Sequence, residues 1–349
     1  MIEIVENPCP EGWRDYCARH PSAQFAHLWE WATALAAVYD LPAFFLLARQ
    51  TGMPASRAGL LPLVHFAPPD GPARLISLPY TDGAGILADD QAAGNQLLAA
   101  ALDLAEKLDA PHLELRQYGQ ASFDPKIAEP TWLYHAHAFK VGLQRPLPAA
   151  TAALWDGLAA KVRNQVRKAW RCGCVGRVGG MELLDDFYAV FSENMRDLGS
   201  PTHPENLFRR VLAEHRLGAR CLVIYNQDLP VAAALVFTLG DTLGNPWAAS
   251  LRRYRPLCPN MLLYWLMLCQ GVRSGCRRFD FGRSSQGTAT CRFKLQWGAM
   301  MTPLTWHVFS RPAHCWHPAD ETLVDEAWKS MDLAASRLQG PAIRRWISL

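Results

Sequence analysis

The hydrophobic pattern of the chain predicts one series of elements in its first half. Apolar residues at helical spacing predict a helix over 27–39. Two apolar runs at 44–48 and 59–66 are separated by a turn-rich segment and predict a hairpin. A third run at 75–78 is followed by a predicted helix over about 90–108 and by an alternating strand over 112–116.

The second half repeats this order of elements. The pattern predicts a helix over about 185–198, strands over 221–225, 231–239 and about 243–251, a helix over about 260–274 and a strand over 278–281. Helix, three strands, helix and strand therefore occur twice, although the two halves share almost no residue identity. We expect an α/β (α+β) fold in which two domains each contain a mixed, twisted sheet flanked by helices. Their predicted ranges are 1–148 and 149–318, followed by a C-terminal helical tail over 319–349.

Length and charge agree with two ordinary globular domains. The chain has 349 residues, whereas a single domain usually has about 100–200. Its 35 Lys and Arg against 32 Asp and Glu give a net charge of only +3, which argues against a DNA-binding surface over the whole protein. The longest apolar run, 261–269, has about half the length that a membrane helix needs. The first residues also lack the features of an export signal, so we expect a cytoplasmic protein without a transmembrane segment, in an oligomeric state left open.

The ten cysteines are expected to be reduced thiols. No pair forms the C-x-x-C spacing of a zinc knuckle, and disulfides are rare in a protein that is not exported. The tract from His314 to His317 contains two histidines and a cysteine that could in principle bind a metal. An ordinary loop explains it better, and we expect no metal site.

One segment concentrates the positive charge of the chain. Between 157 and 181 there are six basic residues and no acidic one, so the rest of the chain carries +3 − 6 = −3. Arg163, Arg167 and Arg171 are spaced four residues apart and therefore share one helix face. Five of the cations form a predicted patch for phosphate or RNA backbone: Lys161, Arg163, Arg167, Lys168 and Arg171. The alternative is a solvated face on a packed helix.

Candidate chemistry concentrates after the strand over 278–281. The chain has no G-x-S-x-G and no H-E-x-x-H motif. Asp280 alternates with two phenylalanines, and Gly282 permits an unusual backbone turn. Lys294 follows beyond the C-terminal edge of this strand, where open α/β sheets bind ligands. Its cation could hold a phosphate or stabilise an oxyanion; an exposed surface lysine is the alternative.

A second candidate lies upstream, in the loop over 252–260. This loop brings three arginines to the N-terminus of a predicted helix. Backbone N–H groups at such a terminus bind anions. The sequence therefore predicts an anion site here, and a merely basic loop is the alternative.

Several motifs occur in a fixed order in the second half. They are Lys161-Val-Arg-Asn-Gln-Val-Arg-Lys168-Ala, Phe187-Tyr188 through Arg196-Asp197, and Phe279-Asp-Phe-Gly282 through Phe293-Lys294-x-x-Trp297-Gly298. They resemble the motifs of the FemAB-type members of the GNAT (N-acyltransferase) superfamily, whose chains fold as two GNAT-like domains. The stretch 246–265 is similar to a narrower group associated with exosortase/PEP-CTERM sorting and exopolysaccharide loci. The resemblance covers about 160–300 strongly and 20–120 loosely.

This resemblance implies a metal-free transfer of an activated acyl or aminoacyl group to an amine. The acceptor would be a cell-envelope, peptidoglycan or exopolysaccharide precursor. By position, Lys294 would polarise the acyl transition state, Arg196 would bind acceptor phosphate, and Asp82 would face the cleft from the first domain. Either Asp82 or Asp280 could take the amine proton, so the general base stays open. The same region supplies further expected substrate-binding residues: Trp247, Tyr254, Arg255, Asn260 and Arg283.

The acyl donor is left open by two departures from the family pattern. Peptidoglycan Fem ligases, which use aminoacyl-tRNA, carry a long helical hairpin, and no heptad-patterned segment of that kind occurs here. Enzymes that use acyl-CoA carry a glycine-rich loop, whereas the corresponding 255–260 has prolines and no glycine. We therefore expect no tightly bound cofactor, with acyl-CoA or aminoacyl-tRNA as candidate co-substrates. A catalytically degenerate binding module for a glycan, a peptide or RNA is the alternative function.

Overall fold

The computed structural model describes residues 1–53, 56–314 and 325–348. The chain forms two compact units. The first contains Met1–Gly142 and segments that begin at Thr302 and Trp346, and the second contains Leu143–Met301 and a segment that ends at Arg345. This division differs from the predicted ranges. The predicted second domain ended at 318 and therefore included residues 302–318, and residues 319–349 were predicted to form a separate tail.

The elements of the first half confirm the predicted hairpin and the predicted long helix. In chain order they are β1 (Ile2–Glu6), α1 (Pro10–Arg19), α2 (Trp29–Tyr39), β2 (Ala43–Gln50), β3 (Gly59–Phe66), β4 (Arg74–Ile76), β5 (Leu87–Ala88), α3 (Gln91–Lys107), β6 (His112–Tyr118) and β7 (Leu133–Pro146). The sequence pattern did not indicate β1, α1 or β7.

The elements of the second half contain the predicted series in its predicted order, together with further elements that the pattern did not indicate. They are α4 (Thr151–Asp156), α5 (Ala160–Arg171), β8 (Cys174–Gly179), α6 (Leu184–Asp197), α7 (Glu205–Ala213), β9 (Arg220–Asn226), β10 (Leu229–Leu239), β11 (Thr242–Ser250), α8 (Pro259–Arg273), β12 (Arg278–Ser284), α9 (Ala289–Leu295), β13 (Met300–Ser310), α10 (Glu326–Lys329) and α11 (Leu333–Arg344). Arg177, which belongs to the basic run of the sequence, lies in strand β8 and not in a helix.

Each unit contains a mixed sheet, which confirms the predicted fold class. In the first unit the strand order is β1-β2-β3-β4-β6-β13-β7, with β4 and β6 parallel. Strand β13 belongs to this unit because it pairs antiparallel with β6, Thr305 opposite Gln117. In the second unit the order is β12-β11-β10-β9-β8, with β11 and β12 parallel and the other pairs antiparallel.

Helix α3 supplies much of the apolar core of the first unit. It begins at Asp90, whose carboxylate accepts a hydrogen bond from the Ala93 N–H at 2.8 Å, a standard N-cap. Leu97, Ala101 and Leu104 follow at helical spacing and are buried in one cluster with residues of β2, β3 and β6. Burial of each leucine contributes about 2 kcal/mol, so this face holds the helix on the sheet.

Strand β10 is the centre of the second unit. Its residues from Val231 to Phe237 are completely buried, and successive side chains of a strand point to opposite faces. Both faces of the sheet are therefore covered, and α6 and α8 are the helices that pack on β10. None of the helices within the described ranges has the length and apolar character that crossing a bilayer requires.

Candidate functional site

The parallel strands β11 and β12 separate part of the way along their length. They pair at Thr242–Arg278, Leu243–Phe279 and Gly244–Asp280, and beyond these positions β11 continues to Ser250 and β12 to Ser284, both within the described residues, without pairing with each other. Opposite β10, the register of β11 shifts between Gly244 and Trp247. This bulge contains Pro246, which has no N–H for a ladder bond, and a bulge bends its strand. We call the opening between 245–250 and 281–284 the strand fork.

The strand fork contains buried polar atoms. Asn245 and Ser284 are only 5% and 6% exposed. The Asn245 Oδ1 and the Ser284 Oγ have no hydrogen-bond partner among the described residues. A buried polar atom left without a partner costs about 1–3 kcal/mol, and such an atom in a native structure calls for an explanation. Each of these oxygens can accept a hydrogen bond from a water or a bound molecule.

Aromatic packing positions the short helix α9 beside the strand fork. The helix begins after Thr288, whose Oγ1 accepts a hydrogen bond from the Cys291 N–H at 3.3 Å, as expected for a cap residue. The Tyr264 ring lies 4.9 Å from the Phe293 ring and 6.0 Å from the Trp297 ring, measured between centroids. Burial raises the pKa of Tyr264 to about 12, with a hydrogen bond from Asn245 acting in the opposite direction.

Lys294 is buried at the end of β12. Its residue is 6% exposed, and its Nζ donates a hydrogen bond of 2.6 Å to the Arg283 carbonyl oxygen. The alternative of an exposed surface lysine is therefore wrong, because Phe293 and Trp297 turn this face of α9 inward. Removing an ammonium from water costs several kcal/mol, and ionisable groups in such settings cluster at functional sites. An ammonium here could stabilise negative charge on an acyl oxygen.

Asp280 shapes the strand end that carries Arg283. Its Oδ1 accepts a hydrogen bond of 2.7 Å from the Gly282 N–H, and its Oδ2 accepts one of 3.0 Å from the Gln144 Nε2. Gly282 has φ = +70°, a conformation that a side chain would strain. The Asp280 carboxylate thus stabilises the turn that directs the Arg283 carbonyl towards Lys294. The assignment of Asp280 as general base stays a prediction.

The loop before α8 and the start of that helix contain three of the predicted substrate-binding residues: Tyr254, Arg255 and Asn260. A 3-10 helix over Arg252–Leu257 leads to Asn260, the second residue of α8. Arg255 is exposed, whereas Arg253 forms an ion pair with Glu193 and lies 5.2 Å from the Tyr254 ring. A cavity of about 160 Å³ opens here, lined by residues that include Tyr254 and Glu193. The three arginines are therefore not equivalent, since Arg253 already neutralises a carboxylate.

Arg196 and Trp247 have partners within the second unit. Arg196 donates two hydrogen bonds, of 2.8 and 3.2 Å, to the Asp197 Oδ1. Trp247 is 8% exposed, with its ring centroid 5.0 Å from that of Phe208. Asp82 belongs to the first unit, in the segment after β4. The roles assigned to Arg196, Trp247 and Asp82 stay predictions.

The first unit also contains a parallel strand pair, β4 and β6. Ser348, which is distant in the chain, lies beyond the paired ends of these strands. Beyond the paired ends of β4 and β6, the Tyr80 N–H donates to the Ser348 carbonyl at 2.8 Å. The buried Arg116 donates to the same carbonyl at 2.8 Å and to the Ser348 Oγ at 2.9 Å. Leu78 and Tyr80 adopt φ = +61° and +62°, which is strained for residues with side chains. Ser348 thus occupies the space beyond the paired ends of β4 and β6.

The predicted cationic face is present on α5. Val162, Val166 and Ala169 are buried on the inner side of this helix. On the outer side Lys161, Arg167, Lys168 and Arg171 are exposed, and Arg163 is half-buried. Binding of phosphate or RNA by this face stays a prediction.

Two mixed sheets, each with flanking helices and a parallel strand pair, define a tandem GNAT-like fold. Residues 158–295 match the family model described as an acetyltransferase (GNAT) domain. That range includes the strand fork and Lys294. No curated protein sequence matches the chain.

Solved structures show the same fold over most of the chain. FemX is 14% identical with a TM-score of 0.68, over 87% of this chain and 96% of that one. A tandem GNAT protein from the clavulanic acid biosynthesis pathway is 17% identical with a TM-score of 0.56, over 90% and 100%. L-PGS from Bacillus licheniformis is 11% identical with a TM-score of 0.56, over 99% of each chain. At these identities the likeness establishes the fold alone.

Sequence reasoning missed the buried oxygens of the strand fork. One signal was available: Asn245-Pro246 interrupts a strand pattern, and proline inside a strand marks a bulge or an edge. No comparable signal marked Ser284, because the sequence does not show that β12 extends to this residue.

Proposed function

We propose that the protein is an N-acyltransferase or aminoacyltransferase whose reaction takes place at the strand fork. The observation that carries the proposal is the buried Lys294 ammonium, held 2.6 Å from the Arg283 carbonyl oxygen at the end of β12. The GNAT domain match over residues 158–295 supports it, because that range contains both strands and the lysine.

The reaction would form a C–N bond between an acceptor amine and an activated acyl carbon. Negative charge develops on the acyl oxygen, and Lys294 would stabilise that charge through its ammonium. The bond from the acyl carbon to the leaving group then breaks, and the amine loses a proton. Asp82 and Asp280 are the candidates to accept this proton.

The donor would be acyl-CoA or aminoacyl-tRNA, used as a co-substrate and not bound tightly. The acceptor would be an amine on a cell-envelope, peptidoglycan or exopolysaccharide precursor, as the motif resemblance implies. Exposed Arg255 and the N-terminus of α8 beside it would bind phosphate groups of either substrate. Arg196, Trp247, Tyr254, Asn260 and Arg283 complete the proposed substrate contacts.

The test replaces Lys294 by methionine, which keeps the side-chain length and removes the charge. Purified protein is incubated with labelled acetyl-CoA or aminoacyl-tRNA and a panel of amine acceptors, including amino sugars and nucleotide-linked muropeptides. We expect Lys294→Met to lower the transfer rate at least about 100-fold, the effect of losing one oxyanion donor. Thermal unfolding verifies that the variant is folded, and Lys126→Met in the first unit is the matched control.

Two outcomes would contradict the proposal. Transfer at the wild-type rate by Lys294→Met would remove this lysine from the reaction. Binding of a glycan or peptide by wild-type protein that binds neither donor class would favour the degenerate binding module.

A further inference from the structure

Three tryptophans and a row of cations form one surface on the second unit. We call it the α5 surface and define it by these residues: Trp155, Lys161, Arg167, Lys168, Trp170, Arg171 and Trp265. The Trp155 ring lies 5.7 Å from the Trp170 ring and 4.9 Å from the Trp265 ring, measured between centroids. Trp170 is 45% exposed. Folding therefore leaves almost half of a large apolar side chain in water at the edge of an aromatic cluster.

The cations adjoin this aromatic cluster on the helix. At 3.6 residues per turn, Trp170 lies about 60° around the helix axis from Arg167. The Arg167 guanidinium lies 5.3 Å from the Trp155 ring centroid, a cation–π contact. Helix α5 contains no acidic residue, and the exposed carboxylate closest in sequence is Asp156. In the same sense of rotation Arg171 lies about 100°, Lys168 about 160° and Lys161 about 180° from Trp170. The tryptophan cluster therefore borders the outer face of the helix, and the cations continue from it across that face.

This combination fits a membrane surface better than RNA. An indole ring has an apolar body and a polar N–H, so tryptophan is enriched at the membrane–water interface. RNA bases would need open ring faces to stack on. The Trp155 ring already has Trp170 stacked on it at an interplanar angle of 28°, with Arg167 as a further neighbour. Insertion of ring edges into an interface leaves this cluster intact, and the stack already covers one face of each of these two rings.

We propose that the α5 surface binds the protein reversibly to an anionic lipid bilayer. The tryptophan edges would enter the headgroup region, and the four exposed cations would contact lipid phosphates. Each Lys or Arg near an anionic surface strengthens partition about fivefold. Four of them predict partition roughly 10²- to 10³-fold stronger into anionic than into neutral vesicles. This proposal does not depend on the acyl-transfer proposal, since it uses none of the residues at the strand fork.

The experiment measures co-sedimentation of the full chain with vesicles of phosphatidylcholine, with and without 30% phosphatidylglycerol, at low and high salt. The variant Lys168→Glu/Arg171→Glu reverses two cations of the α5 surface. We expect it to lower partition into anionic vesicles at least about 25-fold. Lys126→Glu/Arg216→Glu changes the net charge equally at two exposed positions elsewhere, and it should bind like the wild type.

A second measurement tests the aromatic part and does not depend on the charge variants. Lipids brominated near the headgroup should quench tryptophan fluorescence of the wild type more than that of Trp170→Phe. The proposal is overturned if the wild type binds neutral and anionic vesicles equally, or if both charge-reversal variants lose binding alike. It is also overturned if the wild type binds tRNA in a salt-dependent manner but no vesicles, which would make the α5 surface an RNA site.

Discussion

The buried arginine of the first unit allows a prediction whose magnitude follows from its contacts. Arg116 is completely buried. Its Nε donates to the Glu114 Oε1 at 2.6 Å, and its Nη1 and Nη2 donate to Ser348 at 2.8 and 2.9 Å. The guanidinium also lies 4.0 Å from the Trp306 ring centroid. Arg116→Met keeps most of the volume but removes every polar contact.

We expect this substitution to lower the free energy of unfolding by about 3–5 kcal/mol, because it leaves a buried carboxylate without its main partner. Arg74 lies 3.9 Å from the other Glu114 oxygen and should keep the loss towards the lower end of that range. For a unit of this size, a loss of that order lowers the melting temperature by about 6–20 °C.

Urea unfolding, followed by tryptophan fluorescence at pH 7, measures this change. Arg49→Met is the matched control, because the Arg49–Glu3 pair is also 2.6 Å long but is 30% and 38% exposed; its loss should cost less than about 1 kcal/mol. The double variant Arg116→Met/Glu114→Gln should recover part of the stability, since no buried charge then lacks a partner. A loss below 1 kcal/mol in Arg116→Met, or no recovery in the double variant, would refute the reasoning.

Two further predictions concern the first unit. Burial lowers to about 4 the pKa of three histidines: His27, His112 and His307. These pKa values lie below the value of about 6.5 in the unfolded chain, so the stability that the neutral rings contribute is complete above pH 6.5. As the pH falls towards 4 this stability is lost, by about 1.4 kcal/mol per pH unit for each histidine. Urea midpoints measured from pH 7.5 to 4.5 should fall accordingly, and a constant midpoint would contradict this. Gly142→Ala would place a Cβ 2.0 Å from the Tyr118 ring and should destabilise the protein by about 1–3 kcal/mol. Gly71→Ala is the control and should be close to neutral, because its nearest contact would be at 3.3 Å. Equal urea midpoints for the two variants would contradict the prediction and show that the ring moves aside.

Local patterns in the sequence determined most of the elements. Periodic apolar residues predicted α3, the β2–β3 hairpin and the series α6, β9, β10, β11, α8 and β12, although not α7, because an element that buries one face must repeat apolar residues at its own period. The cationic face of α5 was predicted for the same reason. Strands β7 and β13 were not, since much of their length is polar or half-exposed and their partners lie far away in the sequence.

The candidate site required the tertiary structure. The sequence placed Lys294 beyond a strand end and left open whether it is exposed, because burial depends on how Phe293 and Trp297 pack against Tyr264. It also could not show that β11 and β12 separate after Gly244, or that Ser348 closes the parallel pair of the first unit. Periodicity is a property of neighbouring residues, whereas a buried ammonium and an open strand pair arise from contacts between residues distant in the chain, and only the folded structure decides those.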